Sequence, residues 1–265
     1  MKITWYGTAA LMLETSDTVL AFDPFDGIPL NEAHPEKGPL PHQKEFQRAD
    51  HVFVTHGHFD HILQIPAIYR GTGTLIHATE TPRATMKKHG VPEKQLAAIQ
   101  PDERIAFGGT EIHAIQGRHC RFDRELALRT LFGKRARKNP LHLSRLLYWN
   151  CTYREKGEIL GYEVRSGSVR IMILGSLGLD PQITYPQGAD LLILPFQGKS
   201  DLTAASLPIV EKLQPKRIVL DHYDNSFPPM SDEIRTAEFE ETAEKRYGIP
   251  CRALHKGEPL VIGES

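Results

Sequence analysis

The sequence predicts an α/β protein in which two β-sheets pack face to face and helices cover both outer faces. Three observations support this reading. Short apolar runs are grouped in each half of the chain, helical patterns fall between and after them, and no period of 20–50 residues repeats. At 265 residues the chain is long enough to bury a real core, and it reads as one unit, 1–265, carrying a basic helical insertion at about 121–155.

Residues 3–6, 10–14 and 18–22 read as three short strands joined by Gly7-Thr8 and Ser16-Asp17 turns. The third ends in Asp23-Pro24-Phe25, and the Pro-, Gly- and charge-rich stretch 26–48 reads as a long irregular loop near a site. A strand at 51–55 is followed by a helix over 60–69, a short strand at 75–77 and a helix started by Thr81-Pro82. A hairpin through Gly108-Gly109 joins 105–107 to 110–115. Between Arg118 and Lys138 there are eight Arg or Lys against Asp123 and Glu125, and two helices are expected there, the second begun by Asn139-Pro140. Strands resume at 159–165, 169–174 and 191–194, then a helix at 203–213 and a strand at 217–220. A helix expected over 231–247 starts at Ser231 and stops at Gly248, and strands at 252–254 and 259–262 close the chain.

Composition narrows the class. The formal net charge of −1 gives the whole molecule no bias toward polyanions. No apolar run approaches the roughly 20 residues of a membrane span, and residues 1–6 lack the apolar core of a signal peptide. Cys120, Cys151 and Cys251 are odd in number and widely spaced, so no disulfide framework is expected and a reducing, cytoplasmic setting is.

The chemistry is concentrated in Val54-Thr55-His56-Gly57-His58-Phe59-Asp60-His61, directly after an apolar strand. Three imidazoles and a carboxylate in six positions suit zinc, manganese or iron, and an open position on such a metal activates water. A His-rich surface loop is the plainer reading, and four ligand-type side chains at this spacing weigh against it. Six adjacent residues cannot surround an ion, so further ligands are needed. His119 and His222 each follow the carboxyl end of a strand, as His56 does, and can converge with it. His51, His77, His113 and His255 lie in or beside strands and His89 and His142 on helices, where core or surface roles are expected.

With His119 and His222 downstream, His56-x-His58-x-Asp60-His61 resembles the metallo-β-lactamase fold superfamily. Gly7-Thr8-Ala9-Ala10 and Asp23-Pro24-Phe25 resemble the branch containing ascorbate-6-phosphate lactonase and N-acyl phosphatidylethanolamine phospholipase D. The resemblance implies a four-layer αββα sandwich with metals at one edge. It also implies a first metal site of His56, His58 and His119 and a second of Asp60, His61 and His222. One position departs. The family's metal-bridging Asp falls in a turn that here reads Leu174-Gly175-Ser176-Leu177-Gly178, so Ser176 stands in its place. A neutral hydroxyl is a poor ligand for a hard divalent ion. One tightly held metal and a weak second are therefore expected, unless Asp180 folds back to substitute.

The resulting expectation is a hydrolase with one or two divalent metal ions, zinc foremost and manganese or iron compatible. A metal-bound hydroxide would attack a small anionic ester, lactone or phosphoester, with Asp60 as general base or water-orienting group and His222 stabilising or protonating the leaving group. A phosphodiesterase acting on nucleotides, nucleic acid or phospholipid is the second reading. A non-catalytic metal-binding sensor or assembly protein is the third. The basic insertion beside His119 reads equally as an anion clamp or as a solvated face. It lacks aromatics before Tyr148-Trp149, which disfavours single-stranded nucleic acid as a partner. Leu143, Leu146 and Leu147 are expected to pack on the sandwich, Lys199 to follow a strand end near the site, and Cys120 to pack against it. A homo-oligomer is compatible with the sequence.

Overall fold

The first sheet grows from the amino-terminal half. Strands β1 (Lys2–Gly7), β2 (Ala10–Glu14) and β3 (Val19–Phe22) form an antiparallel meander, each close to the span expected from its alternation. The computed structural model describes residues 1–28 and 40–263, so 29–39 of the loop expected at 26–48 lie outside the described residues; a one-turn helix, α1 (Gln43–Phe46), ends it. Then β4 (His51–Phe53) adds in parallel to β3. The single helix expected over 60–69 is two one-turn helices, α2 (Phe59–Ile62) and α3 (Ile65–Ile68), because Pro66 lacks an N–H and suits only a first turn.

Next come β5 (Leu75–Ala78), α4 (Glu80–Lys88) and β6 (Leu96–Ala98), a strand too short to carry a periodic pattern. Helix α4 begins ahead of Thr81, whose N–H and hydroxyl both bind Glu158, at 2.9 and 2.5 Å.

The second sheet opens with the expected hairpin, β7 (Arg104–Phe107) and β8 (Thr110–Gln116). The basic stretch folds as three helices rather than two: α5 (Arg124–Phe132), α6 (Lys134–Lys138) and α7 (Pro140–Thr152). Gly133 breaks the first from the second, and a Cβ there would sit 2.2 Å from the Arg129 carbonyl oxygen. Strands β9 (Leu160–Ser166), β10 (Val169–Ile173) and β11 (Leu191–Pro195) follow, then α8 (Leu202–Leu213) and β12 (Ile218–Asp221). Helix α9 (Ala237–Tyr247) starts six residues later than expected. The Ser231 hydroxyl is engaged in the preceding loop, accepting from the Phe227 N–H at 2.8 Å and donating to Asn225. Strands β13 (Cys251–Ala253) and β14 (Pro259–Val261) each join the far edge of a different sheet.

The two sheets share one plan. The first runs β14-β1-β2-β3-β4-β5-β6 and the second β13-β12-β11-β10-β9-β8-β7. In both, an antiparallel meander passes into parallel strands, at β3 in one and at β10 in the other. Alternation sends Trp5, Leu11, Leu13, Phe22 and Phe53 inward against Ile112, Tyr162, Val164 and Ile171 of the facing sheet. Each such side chain contributes roughly 1.5–3 kcal/mol relative to exposure. On the outer face of the first sheet, Ala21, Val52, Val54 and Ile76 pack with Phe46, Ile62, Ile65 and Met86 of the helices, joined by Trp149 of α7. Helices α8 and α9 bring Ile209, Val210, Leu213 and Phe239 to the second sheet. Four layers result, and the carboxyl ends of β3, β4, β8, β10 and β12 carry the residues that meet at the site.

Candidate metal centre

Each site residue leaves the end of a strand. Past β4, Val54 still bonds across to β5, its N–H donating to the His77 carbonyl at 2.9 Å. Thr55 then ties the two sheets together: its carbonyl accepts from Leu160 N at 2.9 Å. The chain turns through His56 and Gly57 into α2, which carries Asp60 and His61. Only glycine fits at 57, where a Cβ would lie 2.4 Å from the Arg154 carbonyl oxygen at the end of the helical segment. His119 follows β8, and His222 follows β12 with a left-handed φ of +59°. That strained backbone is held by the His222 N–H, which donates to the Thr8 carbonyl at 2.9 Å.

Two triads form. Ligand atoms of His56, His58 and His119 lie within 4.8 Å of one another, and so do those of Asp60, His61 and His222. The rings of His58 and His119 are 4.5 Å apart, His56 and His61 3.9 Å, and His61 and His222 5.3 Å, so the triads adjoin. All six predicted positions are therefore brought together. The other six histidines assigned to packing stand in neither triad. His51 and His77 stack on Phe107 and Phe53, and His89 stacks on Tyr153.

The charge state suits a divalent cation. Burial and the neighbouring imidazoles push His56 well below the ordinary imidazole range. Burial, against the pull of Asp60 and aided by His119 and His61, brings His58 down to about 4. Burial also lowers His119, against the pull of Glu155 and Asp60. All three rings are thus neutral at pH 7, with lone pairs to give. Burial alone would raise the Asp60 carboxyl, yet His61, His222 and His58 hold it below its ordinary value, so it stays ionised. His222 Nδ1 is buried without a hydrogen-bond partner, as is Asp221 Oδ1 beside it, 3.9 Å away. The neutral rings of His56, His58 and His119 beside an ionised Asp60, with buried polar atoms left over, are what a metal would satisfy, while Asp23 and Asp60 raise His61 against the effect of its burial.

Asp23 and Asp221 are site residues that the ligand spacing alone does not reveal. Asp23 accepts from the Thr55 N–H at 2.8 Å, from the Thr55 hydroxyl at 2.6 Å and from His61 Nδ1 at 2.8 Å. It leaves Nε2 of His61 for the site, as carboxylates behind ligating imidazoles commonly do. Its own φ is +42°. The Asp-Pro at the end of β3 is the trace of this role in the sequence. Asp221 is fully buried, and burial raises its carboxyl.

The remaining expectations divide. Ser176 is half-buried, and its Oγ accepts from the Cys120 N–H at 2.9 Å, one residue from His119. Asp180 does not fold back; its Oδ1 accepts from Gln182 N within its own turn. Lys199 does not face the site but donates to the Arg121 carbonyl at 2.6 Å. Cys120 is buried with Sγ 3.6 Å from the Gly198 carbonyl oxygen, a packing role. Leu146 packs on the core, whereas Leu147 is exposed.

Residues 18–223 match the family model described as the beta-lactamase superfamily domain. A protein of Pyrobaculum arsenaticum named a UPF0173 metal-dependent hydrolase is 31% identical over 120 residues, covering 45% of this chain and 51% of that protein. One of Thermodesulfovibrio yellowstonii with the same designation is 35% identical over 97 residues, covering 36% and 34%. The matches thus span about half, or less, of the length of these curated relatives. Among solved structures, Igni18, a metallo hydrolase from Ignicoccus hospitalis, superposes with a TM-score of 0.68 over 100% of this chain and 99% of that one, at 20% identity. The isothiocyanate hydrolase from Delia radicum gut bacteria gives 0.63 over 99% of both chains, at 18% identity. At these identities the likeness is one of fold.

Proposed function

The chain belongs to the beta-lactamase superfamily domain family, and we propose that it is a metal-dependent hydrolase of a small anionic ester, lactone or phosphoester. The observation that carries this reading is the pair of ligand triads built from the ends of separate strands. His56, His58 and His119 would hold a first divalent ion, and Asp60, His61 and His222 a second, more weakly held one. Zinc is the ion best matched by this imidazole-rich set, with manganese or iron served by the same donors. When bound, such an ion lowers the pKa of a coordinated water toward neutrality and polarises the scissile group.

The chain's own groups supply the rest. With the second ion weakly held or absent, Asp60, ionised and largely shielded, orients the attacking water and takes its proton. His222 lies beside it, fixed through its N–H by Thr8, and stabilises the charge on the leaving oxygen or passes it the proton that Asp60 took from the water. Asp23 holds His61 in one tautomer and one orientation. Burial of His56 and Asp60 keeps competing bulk water out. The partner in this reading is a small molecule with negative charge, drawn by the basic residues next to His119. Ser176 favours a second reading, in which the centre binds metal without turning over substrate.

One purified sample separates these readings. Its metal content is measured after dialysis, and turnover is assayed on a lactone, a carboxyl ester and bis(p-nitrophenyl) phosphate, with and without chelator. The hydrolase reading expects chelator-sensitive turnover, reduced at least ~100-fold in His58→Ala and Asp60→Ala. Turnover of the phosphodiester alone would make the enzyme a phosphodiesterase. Bound metal with no turnover on any substrate would favour the non-catalytic reading. Full activity in folded Asp60→Ala would refute the mechanism.

A further inference from the structure

Helix α5 has nine residues and not one of them is buried. A helix of that length is marginal in water without packing, so its stability calls for a surface to lie against. Leu128, Leu131 and Phe132 fall at i, i+3 and i+4 and form one exposed stripe, with Phe132 66% accessible. Among the described residues, seven of the nine exposed large apolar side chains lie between Phe122 and Tyr148; Leu141 on α7 is 79% accessible.

The opposite side of this segment is anchored to the body. Asp123 caps α5 through Leu126 N and accepts from the N–H and hydroxyl of Ser200. Arg135 pairs with Asp232, and Trp149 packs on Phe59. The apolar stripe is therefore presented outward by a fixed element.

Charge says what it faces. Residues 118–156 hold eleven Arg or Lys against three carboxylates, whereas the remainder of the chain holds 21 against 30. We propose that the helical segment α5–α7 docks this protein on an anionic lipid surface, with basic side chains on the headgroups and Phe122, Leu128, Leu131, Phe132 and Leu141 in the interface. A nucleic acid would match the charge and leave those apolar side chains in water. A second copy meeting face to face would bring two strongly basic segments together. An anionic bilayer surface satisfies both features, and it repels the acidic remainder, which sets the orientation. This inference stands apart from the catalytic reading.

The test is co-sedimentation of the full chain with phosphatidylcholine vesicles and with vesicles containing phosphatidylglycerol. Binding is expected only to the anionic vesicles and should weaken as salt is raised. Leu128→Ser/Leu131→Ser/Phe132→Ser and, separately, Arg124→Gln/Arg129→Gln should each weaken it at least ~10-fold with circular dichroism melting unchanged. Failure of the unmodified protein to bind anionic vesicles overturns the proposal. So does retention by both variants of full binding, concentration-dependent dimerisation lost in the apolar variant without vesicle binding, or capture by an oligonucleotide but not by vesicles.

Discussion

Asp23 takes three donors on one carboxylate, from Thr55 twice and from His61, and thereby couples the end of β3 to the cluster of candidate ligands. Ser176 is its counterpart on the other sheet, and it brings no charge. Its hydroxyl accepts from the Cys120 N–H beside His119, at the position where the family resemblance implies an anionic bridge. Two cations held close together repel each other, and a carboxylate between them offsets that repulsion. Dialysed protein is therefore expected to retain one metal equivalent per chain, and Ser176→Asp to retain two, as measured by elemental analysis. Two equivalents in the unmodified protein would remove the argument. An aspartate at 176 can still accept from Cys120, so the variant tests charge rather than folding.

The loop after β10 shows how an element is positioned by what it cannot hold. A Cβ at Gly175 would lie 2.3 Å from the carbonyl oxygen of Leu160, on β9, and 2.5 Å from Cβ of Thr55, which Asp23 holds just past β4. Gly175→Ala is expected to destabilise the protein by about 1–3 kcal/mol, because backbone rather than a flexible side chain must yield. That is a fall in Tm of roughly 2–10 °C at this size, read by calorimetry. Gly73 has no neighbour within 4 Å of its added Cβ, so Gly73→Ala should stay within about 0.5 kcal/mol. Equal melting of the two variants would refute the packing account. The same kind of constraint separated expectation from structure elsewhere: Pro66 divided one expected helix, and the hydroxyl of Ser231 served a loop rather than a helix start.

Across the whole molecule, two sheets of one plan face each other, and their strand ends deliver candidate ligands from both halves of the chain to one edge. An ion held there bridges residues 56–61, 119 and 222, so it links elements that unfolding would separate. Metal at about 100 times its dissociation constant should add about 2.7 kcal/mol of stability. Chelation should accordingly lower Tm by roughly 5–10 °C, and added metal should restore it. A Tm indifferent to chelator would argue against metal at this edge. No helix among the described residues is long and apolar enough to cross a membrane. The fold class and the six candidate ligand positions were legible in the residues, the cluster at 56–61 through the local crowding of imidazoles with a carboxylate, and His119 and His222 through their places at strand ends and the family resemblance. The roles of Asp23, Asp221 and Thr8 were not, although Asp23-Pro24 and Gly7-Thr8 stand out as motifs, since those roles depend on which strand ends meet. The accessibility of Leu128, Leu131 and Phe132 was equally hidden, because helical spacing is the same for a stripe that packs and a stripe that does not. Local chemistry is written in neighbouring residues; which surfaces close over one another is settled only when distant segments compete for the same core.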